Sequence, residues 1–355
     1  MKPVHLRPNA RVLVVILRRL GDVLLTTPLI RSLKRAYPQA TIDALIFAGT
    51  EGVLAGNPDL AKVISMPARA RLADTLSLGA RLFHRYDLAV SVQTGDRPTA
   101  FALVAGRHSV GPVEPEGLAS TIKRALLGRS YIRDRGEHRV VDILRLADVI
   151  GIPALRNVVC PSPAPRPQLA PTQPYAVIHA APMFIYKRWT AAGWGALAAA
   201  LRERGFAVAA TGAASDRAYL DTVWRDARVV RLDDKLDWQE LTALIAGARV
   251  YIGPDTAITH LAAAAGAPTV ALYGPTDPRL WGPWPCGGLE TSWQASGTIQ
   301  RRGNVWLVQN PLPCLPCQLE GCERRLDSHS QCLDELKVEQ VLAAVDQALA
   351  MRQAA

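Results

Sequence analysis

The sequence predicts an α/β protein made of two doubly wound domains. Three observations carry this expectation. The chain has 355 residues, more than one hydrophobic core usually serves. Apolar runs of strand length alternate with helix-length segments in each half, which is the signature of parallel βαβ units. A proline-dense break separates the halves.

In the first half the strand-length runs fall at residues 12–17, 41–47, 62–66 and 87–92. In the second they fall at 175–180, 206–211, 228–232, 249–253 and 268–273. Between the halves stand Pro161, Pro163, Pro165, Pro167, Pro171 and Pro174. Proline lacks the backbone N–H and fixes φ, so this stretch forms an extended connector. The expected division is a first domain over 1–160, a linker over 161–174, a second domain over 175–334 and a closing helix over 335–355. The last rests on Leu336, Val338, Val341, Leu342, Val345 and Leu349, which repeat at near-helical spacing.

A hydrophobic share of 49%, with 26 glycines and 26 prolines, excludes disordered and collagen-like chains. No apolar run approaches the length of a membrane span, and the start lacks the pattern of a secretion signal, so a cytoplasmic location is expected. The net charge of +10 suits an acidic partner: nucleic acid, a nucleotide, or an anionic membrane carrying phosphorylated glycolipid. A generally basic proteome would give the same figure. No nucleic-acid recognition module accompanies the charge, so nucleic acid is not an expected partner.

Doubly wound domains bind ligands outside the carboxyl ends of their strands, so the loops after strands form the walls of an interdomain cleft. The first such loop runs from Leu17 through Arg18, Gly21 and Asp22 to Thr27 and Pro28. It is expected to leave the strand by a glycine turn and enter a helix near Asp22. Asp22 either caps that helix or acts as a general base on an acceptor hydroxyl. No Gly-x-Gly-x-x-Gly follows the strand, which weakens a dinucleotide-dehydrogenase reading. The second loop, Tyr186 to Thr190, places Lys187 and Arg188 between a strand and a helix. There a cation either sits in a solvated turn or meets the charge of a leaving phosphate.

The third loop, Ile252 to Ala264, opens a helix at Asp255 and Thr256, with His260 on the face of Thr256. Its backbone N–H groups suit a phosphate; a plain cap and a core histidine are the alternatives. Fourth, Cys314, Cys317, Cys322 and Cys332 cluster near the end with His329 among them. In a cytosolic chain this reads as a small structural zinc loop or as free thiols. Trp281 and Trp284 lie in a Gly/Pro-rich stretch, Tyr273 to Trp284, read as a structured loop that either packs or lines a pocket.

Four segments in order resemble the ADP-heptose:lipopolysaccharide heptosyltransferases, glycosyltransferase family 9. They are Leu20-Gly21-Asp22-Val23 with Thr27-Pro28, Lys187-Arg188-Trp189, Asp255 to Leu261, and Tyr273 to Pro278. The resemblance spans nearly the whole chain and implies a GT-B fold, with acceptor bound by the first domain and nucleotide sugar by the second. It implies inverting transfer of heptose from ADP-L-glycero-D-manno-heptose to the lipopolysaccharide inner core, with no cofactor needed for catalysis. On that resemblance Asp22 is the catalytic base and Lys187 neutralises the donor phosphates. Asp255, Thr256 and Ala257 meet the pyrophosphate, supported by His260. Asp216 stands where the family holds the ribose, although family members carry the longer Glu there, and Ala257 stands where many carry Gly or Ser. Arg18, Asp96 and Arg97 fall on the acceptor side, Arg97 meeting a phosphate or sugar-acid carboxylate. A lipid-anchored acceptor also implies peripheral contact with the inner face of the inner membrane. The competing readings are a GT-B enzyme using another nucleotide sugar, a nucleotide-sugar epimerase, and a non-catalytic glycolipid- or nucleotide-sugar-binding protein.

Overall fold

The computed structural model describes residues 3–353. Residues 1–2 and 354–355, the outer ends of the expected first domain and closing helix, lie outside the described residues. The chain divides into two compact units, Met1–Pro161 and Ser162–Ala355.

The first unit runs β1 (Arg11–Ile16), α1 (Leu20–Ala36), β2 (Thr41–Phe47), β3 (Lys62–Met66), α2 (Leu72–Leu82), β4 (Tyr86–Ser91), α3 (Asp96–Ala105), β5 (Gly106–Val113), α4 (Leu118–Leu126), β6 (Arg129–Ile132) and α5 (Arg139–Ile150). Its six strands are parallel, in the order β3-β2-β1-β4-β5-β6. The order reverses between β1 and β4. From β3 onward every crossover advances toward β6, so right-handed connection puts α2, α3 and α4 on one face of the sheet. Central β1 is fully buried from Val12 to Ile16, as expected of a strand covered on both faces.

The second unit runs β7 (Tyr175–His179), α6 (Ala191–Glu203), β8 (Ala207–Thr211), α7 (Arg217–Val223), β9 (Val230–Arg231), α8 (Trp238–Gly247), β10 (Val250–Pro254), α9 (Ala257–Ala264), β11 (Thr269–Leu272), α10 (Pro278–Trp281), β12 (Ile299–Arg302), β13 (Val305–Val308), α11 (Gln331–Asp334) and α12 (Val338–Gln353). The strand order is β12-β13-β11-β10-β7-β8-β9, parallel except for the β12–β13 pair. Here the order reverses between β7 and β10. The proline-rich stretch lies along the start of α8: Ala164 N donates to Gln239 O at 3.2 Å, and Gln239 Nε2 to Ser162 O at 3.0 Å.

Several local expectations need correction. α1 begins at Leu20, with Arg19 as an extended N-cap, so Gly21 lies inside the helix and makes no turn. The Tyr273 to Trp284 stretch contains a helical turn, α10, because Asp277 caps it by accepting from Arg279 N at 2.9 Å and Pro278 fits its first position. Trp284 is buried and packs within the unit.

Pro28 sits mid-helix in α1 and cannot donate to Leu24 O, the acceptor four residues back. Thr27 Oγ1 donates to that carbonyl instead, at 2.7 Å. The same hydroxyl accepts from Val159 N at 2.8 Å, and Ser32 Oγ accepts from Leu155 N at 2.8 Å. The Thr27-Pro28 pair thus turns a helix defect into an anchor for the segment leaving α5.

Candidate active site

Both clusters of site residues lie where the strand order reverses, the positions at which doubly wound sheets open a crevice for ligands. In the first unit these are the carboxyl ends of β1 and β4. A cavity of about 550 Å³ opens there, lined by Leu17, Arg18, Thr94, Asp96, Arg97 and Arg139 among others. Asp22, in the first turn of α1, is 8% exposed. It does not cap the helix through its side chain. Its Oδ1 lies 3.3 Å from Arg139 Nε and 3.6 Å from Arg18 Nε. Neither contact is an aligned hydrogen bond, and both Asp22 Oδ1 and Arg139 Nε are buried without one. The carboxylate is therefore held by charge while its lone pairs remain available to a hydroxyl.

Arg139 is itself fixed from behind. It donates to Asp142 Oδ2 at 2.8 Å and to Val92 O at 3.1 Å. Asp142 in turn accepts from Tyr131 at 2.9 Å and Arg133 at 3.2 Å. Sequence reasoning missed Arg139, which lies far along the chain from Asp22 in a segment without a motif. Its neighbour His138, whose Nδ1 accepts from Val140 N as the α5 cap, was the available signal that a helix begins there.

Arg18, Asp96 and Arg97 all line this cavity. Asp96 is bound by Lys123 Nζ at 2.6 Å, whose hydrogen bond and charge hold its carboxyl below the usual range. Lys123 also donates to Thr94 O at 2.6 Å, tying α4 to the rim. Arg97 donates to Ala68 O at 2.9 Å.

In the second unit the reversal brings together the loop after β7 and the start of α9. Lys187 ends a 3-10 turn, Ile185–Lys187, and its ammonium forms a short ion pair with Asp255. Burial alone would raise the Asp255 carboxyl. The charges of Lys187 and His260, with hydrogen bonds from Lys187 and Thr276, outweigh it and hold the group below the usual carboxylate range. The structure thus pairs two of the expected donor contacts with each other. Thr256, not Asp255, caps α9, accepting from Thr259 N. Around it Thr256, Ala257 and Ile258 are half-buried, whereas Asp255, Thr259 and His260 are buried. The accessible part of this helix is its first turn, where backbone N–H groups lack helical partners.

Arg188 stacks on Tyr219, 3.8 Å from the ring centroid, and so does not occupy a solvated turn. Trp189 is buried, donates to Leu336 O at 2.8 Å and meets Trp194 edge-on. A Cβ on Gly193 would fall 2.6 Å from the Trp189 ring, so glycine there lets the anchor seat. Asp216 closes a 3-10 turn, accepting from Ala213 N at 3.0 Å. Near it stand two buried residues that sequence reasoning missed, His179 and Asp233. Burial pushes His179 below the usual imidazole range despite the opposing charges of Asp216 and Asp233, so the ring is neutral at pH 7. A smaller hollow of about 300 Å³ on α6 and α7 is lined by Ala191, Ala199, Arg202 and Asp226. It lies at no strand end and carries none of these residues.

The four cysteines of the expected zinc loop lie near one another. Among the described residues no three His, Cys, Asp or Glu side chains converge as metal ligands. Cys314 and Cys322 are exposed while Cys332 is buried, and Cys322 Sγ accepts from Gln331 N. Burial, reinforced by the nearby Cys317, Cys322 and Cys314 sulfurs, pushes the Cys332 thiol up to about 12. The segment braces the loop that carries Lys187 and the loop after β11. Ser330 Oγ donates to Tyr186 O at 2.7 Å, and Gln318 N to Pro275 O at 2.8 Å.

The profile of glycosyltransferase family 9 (heptosyltransferase) matches residues 125–289. Lipopolysaccharide heptosyltransferase 1 of Pseudomonas aeruginosa is 28% identical, over 94% of this chain and 93% of its own. Lipopolysaccharide heptosyltransferase 3 of Escherichia coli is 29% identical, over 74% of this chain and 83% of its own. The structure of E. coli ADP-heptose lps heptosyltransferase II superposes with a TM-score of 0.75 at 20% identity, covering 97% and 99% of the two chains. Fold and relatives together define a glycosyltransferase of the GT-B class. Within that class the chain is similar to glycosyltransferase family 9, the heptosyltransferases.

Proposed function

We propose that the chain transfers heptose, with inversion, from ADP-L-glycero-D-manno-heptose to the inner core of lipopolysaccharide, and that Asp22 is the base. The observation that carries the role of Asp22 is its buried carboxylate at the β1 switch point, with Oδ1 held only by the charges of Arg139 and Arg18. Such a carboxylate takes the proton of an acceptor hydroxyl as the oxygen attacks the anomeric carbon. The carbon–oxygen bond to ADP breaks on the opposite side, and the departing diphosphate gains negative charge. Lys187 and the first turn of α9 match that charge, so the reaction proceeds without a metal. Arg18 and Arg97 suit the anionic groups of an inner-core acceptor, and the acceptor's lipid anchor makes the protein peripheral to the inner membrane, at its cytoplasmic face. Asp216, His179 and Asp233 stand at the strand ends where the nucleoside would lie.

The test is mass spectrometry of truncated lipopolysaccharide acceptors incubated with ADP-heptose and a chelator, for wild type and Asp22→Asn. A gain of one heptose on an acceptor is expected, falling at least about a hundredfold in the variant while ADP binding persists. Donor consumed without any glycolipid product would point to an epimerase. Donor bound without any turnover would leave a binding protein.

A further inference from the structure

The first unit carries two features that transfer itself does not require. Its chain holds 23 Lys and Arg against 13 Asp and Glu, whereas the second unit holds 18 of each, so the whole net charge of +10 resides on the first. The same unit exposes a set of large apolar side chains. On α4, Leu118 is 78%, Ile122 49% and Leu126 60% exposed. They recur every four residues and form one stripe along the helix. Of the nine α4 residues only Ser120 is buried, so the stripe lies largely uncovered among the described residues. On α2, Leu72, Leu76 and the adjoining Phe83 are likewise exposed.

Basic residues flank both stripes. Arg124 on α4, and Arg69, Arg71 and Arg81 around α2, are exposed, with no ion pair among the described residues. A helix with an apolar stripe and cationic flanks fits the boundary between headgroups and acyl chains, where apolar burial and attraction to anionic lipid act together. Leu, Ile and Phe exposed this far are costly in water and gain nothing from a purely polar partner. α4 is also joined to the cavity rim, because Lys123 bonds both Asp96 and Thr94 O.

We propose that α4, assisted by the outer face of α2, docks the first unit on an anionic lipid bilayer, so that the glycan of a lipid-anchored acceptor enters the cavity beside the docked helix. This rests on the reading of the acceptor as a glycolipid.

The test is co-sedimentation of the full chain with vesicles of phosphatidylglycerol and phosphatidylethanolamine, against vesicles of phosphatidylcholine alone. Wild type should partition to the anionic vesicles. A Leu118→Ser, Ile122→Ser, Leu126→Ser variant should lose about tenfold or more of that binding, with unchanged thermal unfolding because these side chains are already exposed. Arg124→Glu should weaken binding and make it less sensitive to salt. The triple variant should transfer heptose normally to a deacylated, water-soluble acceptor and poorly to the same glycan in vesicles. Wild type that ignores anionic vesicles overturns the proposal, as does a triple variant that binds them equally. So does a dimer in sedimentation velocity that the triple variant abolishes without any vesicle binding, which would assign the stripe to a second copy. If vesicles are bound but no acceptor is glycosylated by wild type, docking stands and the functional reading fails.

Discussion

The Lys187–Asp255 pair ties the loop after β7 to the start of α9. Asp255 is buried and Lys187 only one-fifth exposed, so each supplies much of the other's compensation for lost hydration. Asp255→Asn leaves Lys187 charged without its partner, and should destabilise the second unit by about 2–4 kcal/mol, toward the low end of fully buried pairs. The pH dependence has a definite sign. The folded pKa of Asp255 is depressed, so the folded state binds fewer protons than the unfolded chain as pH falls through the carboxylate range. The stabilisation is complete above the unfolded value near 3.8 and disappears as pH drops through the lower folded one. Denaturant unfolding between pH 2 and 7 should show wild type losing more stability in acid than Asp255→Asn. Parallel curves would mean that the pair contributes nothing to folding. The residue types of this site were legible from their positions after strands. Their pairing was not, because nothing local to either loop encodes that β7 and β10 are neighbours.

At the scale of elements, α1 depends on one hydroxyl for two backbone groups. Thr27→Val should leave Leu24 O and Val159 N without partners in a buried setting and cost about 2–4 kcal/mol of stability in the first unit. Thr27→Ser, which keeps the hydroxyl, should cost under about 1 kcal/mol by thermal or urea unfolding. A Val variant as stable as wild type would refute the anchoring role. The same helix shows what sequence reading can and cannot deliver. The apolar cores of β1, β2, β3, β7 and β10 were visible as runs of Val, Ile, Leu and Ala. β5 was not: its Gly-Arg-His-Ser-Val-Gly-Pro-Val sequence has no apolar run, and pairing with β4 and β6 makes it a strand. β9 falls within the strand expected over 228–232 but is only two residues long. For β5 tertiary pairing overrides weak local preference.

For the whole molecule, charge is divided unevenly between the units. The first is strongly basic, as suits the polyanionic acceptor proposed for it; the second is neutral overall. In the second unit Lys187 is already paired with Asp255, so the donor contacts proposed there are short-range ones. Long-range attraction between exposed charges fades once the Debye length shrinks to about 8 Å near physiological salt, whereas short contacts in a partly buried pocket are screened far less. Steady-state kinetics from about 50 to 300 mM NaCl should therefore separate the two substrates. The KM for lipid-embedded acceptor should rise several-fold, while the KM for ADP-heptose stays within about twofold. Equal shifts in both constants would show that the basic character of the first unit steers no substrate. A rise for embedded acceptor that vanishes with a deacylated acceptor of the same glycan charge would assign the steering to the bilayer rather than to the sugar phosphates, and so place the purpose of the +10 on the surface that carries α4.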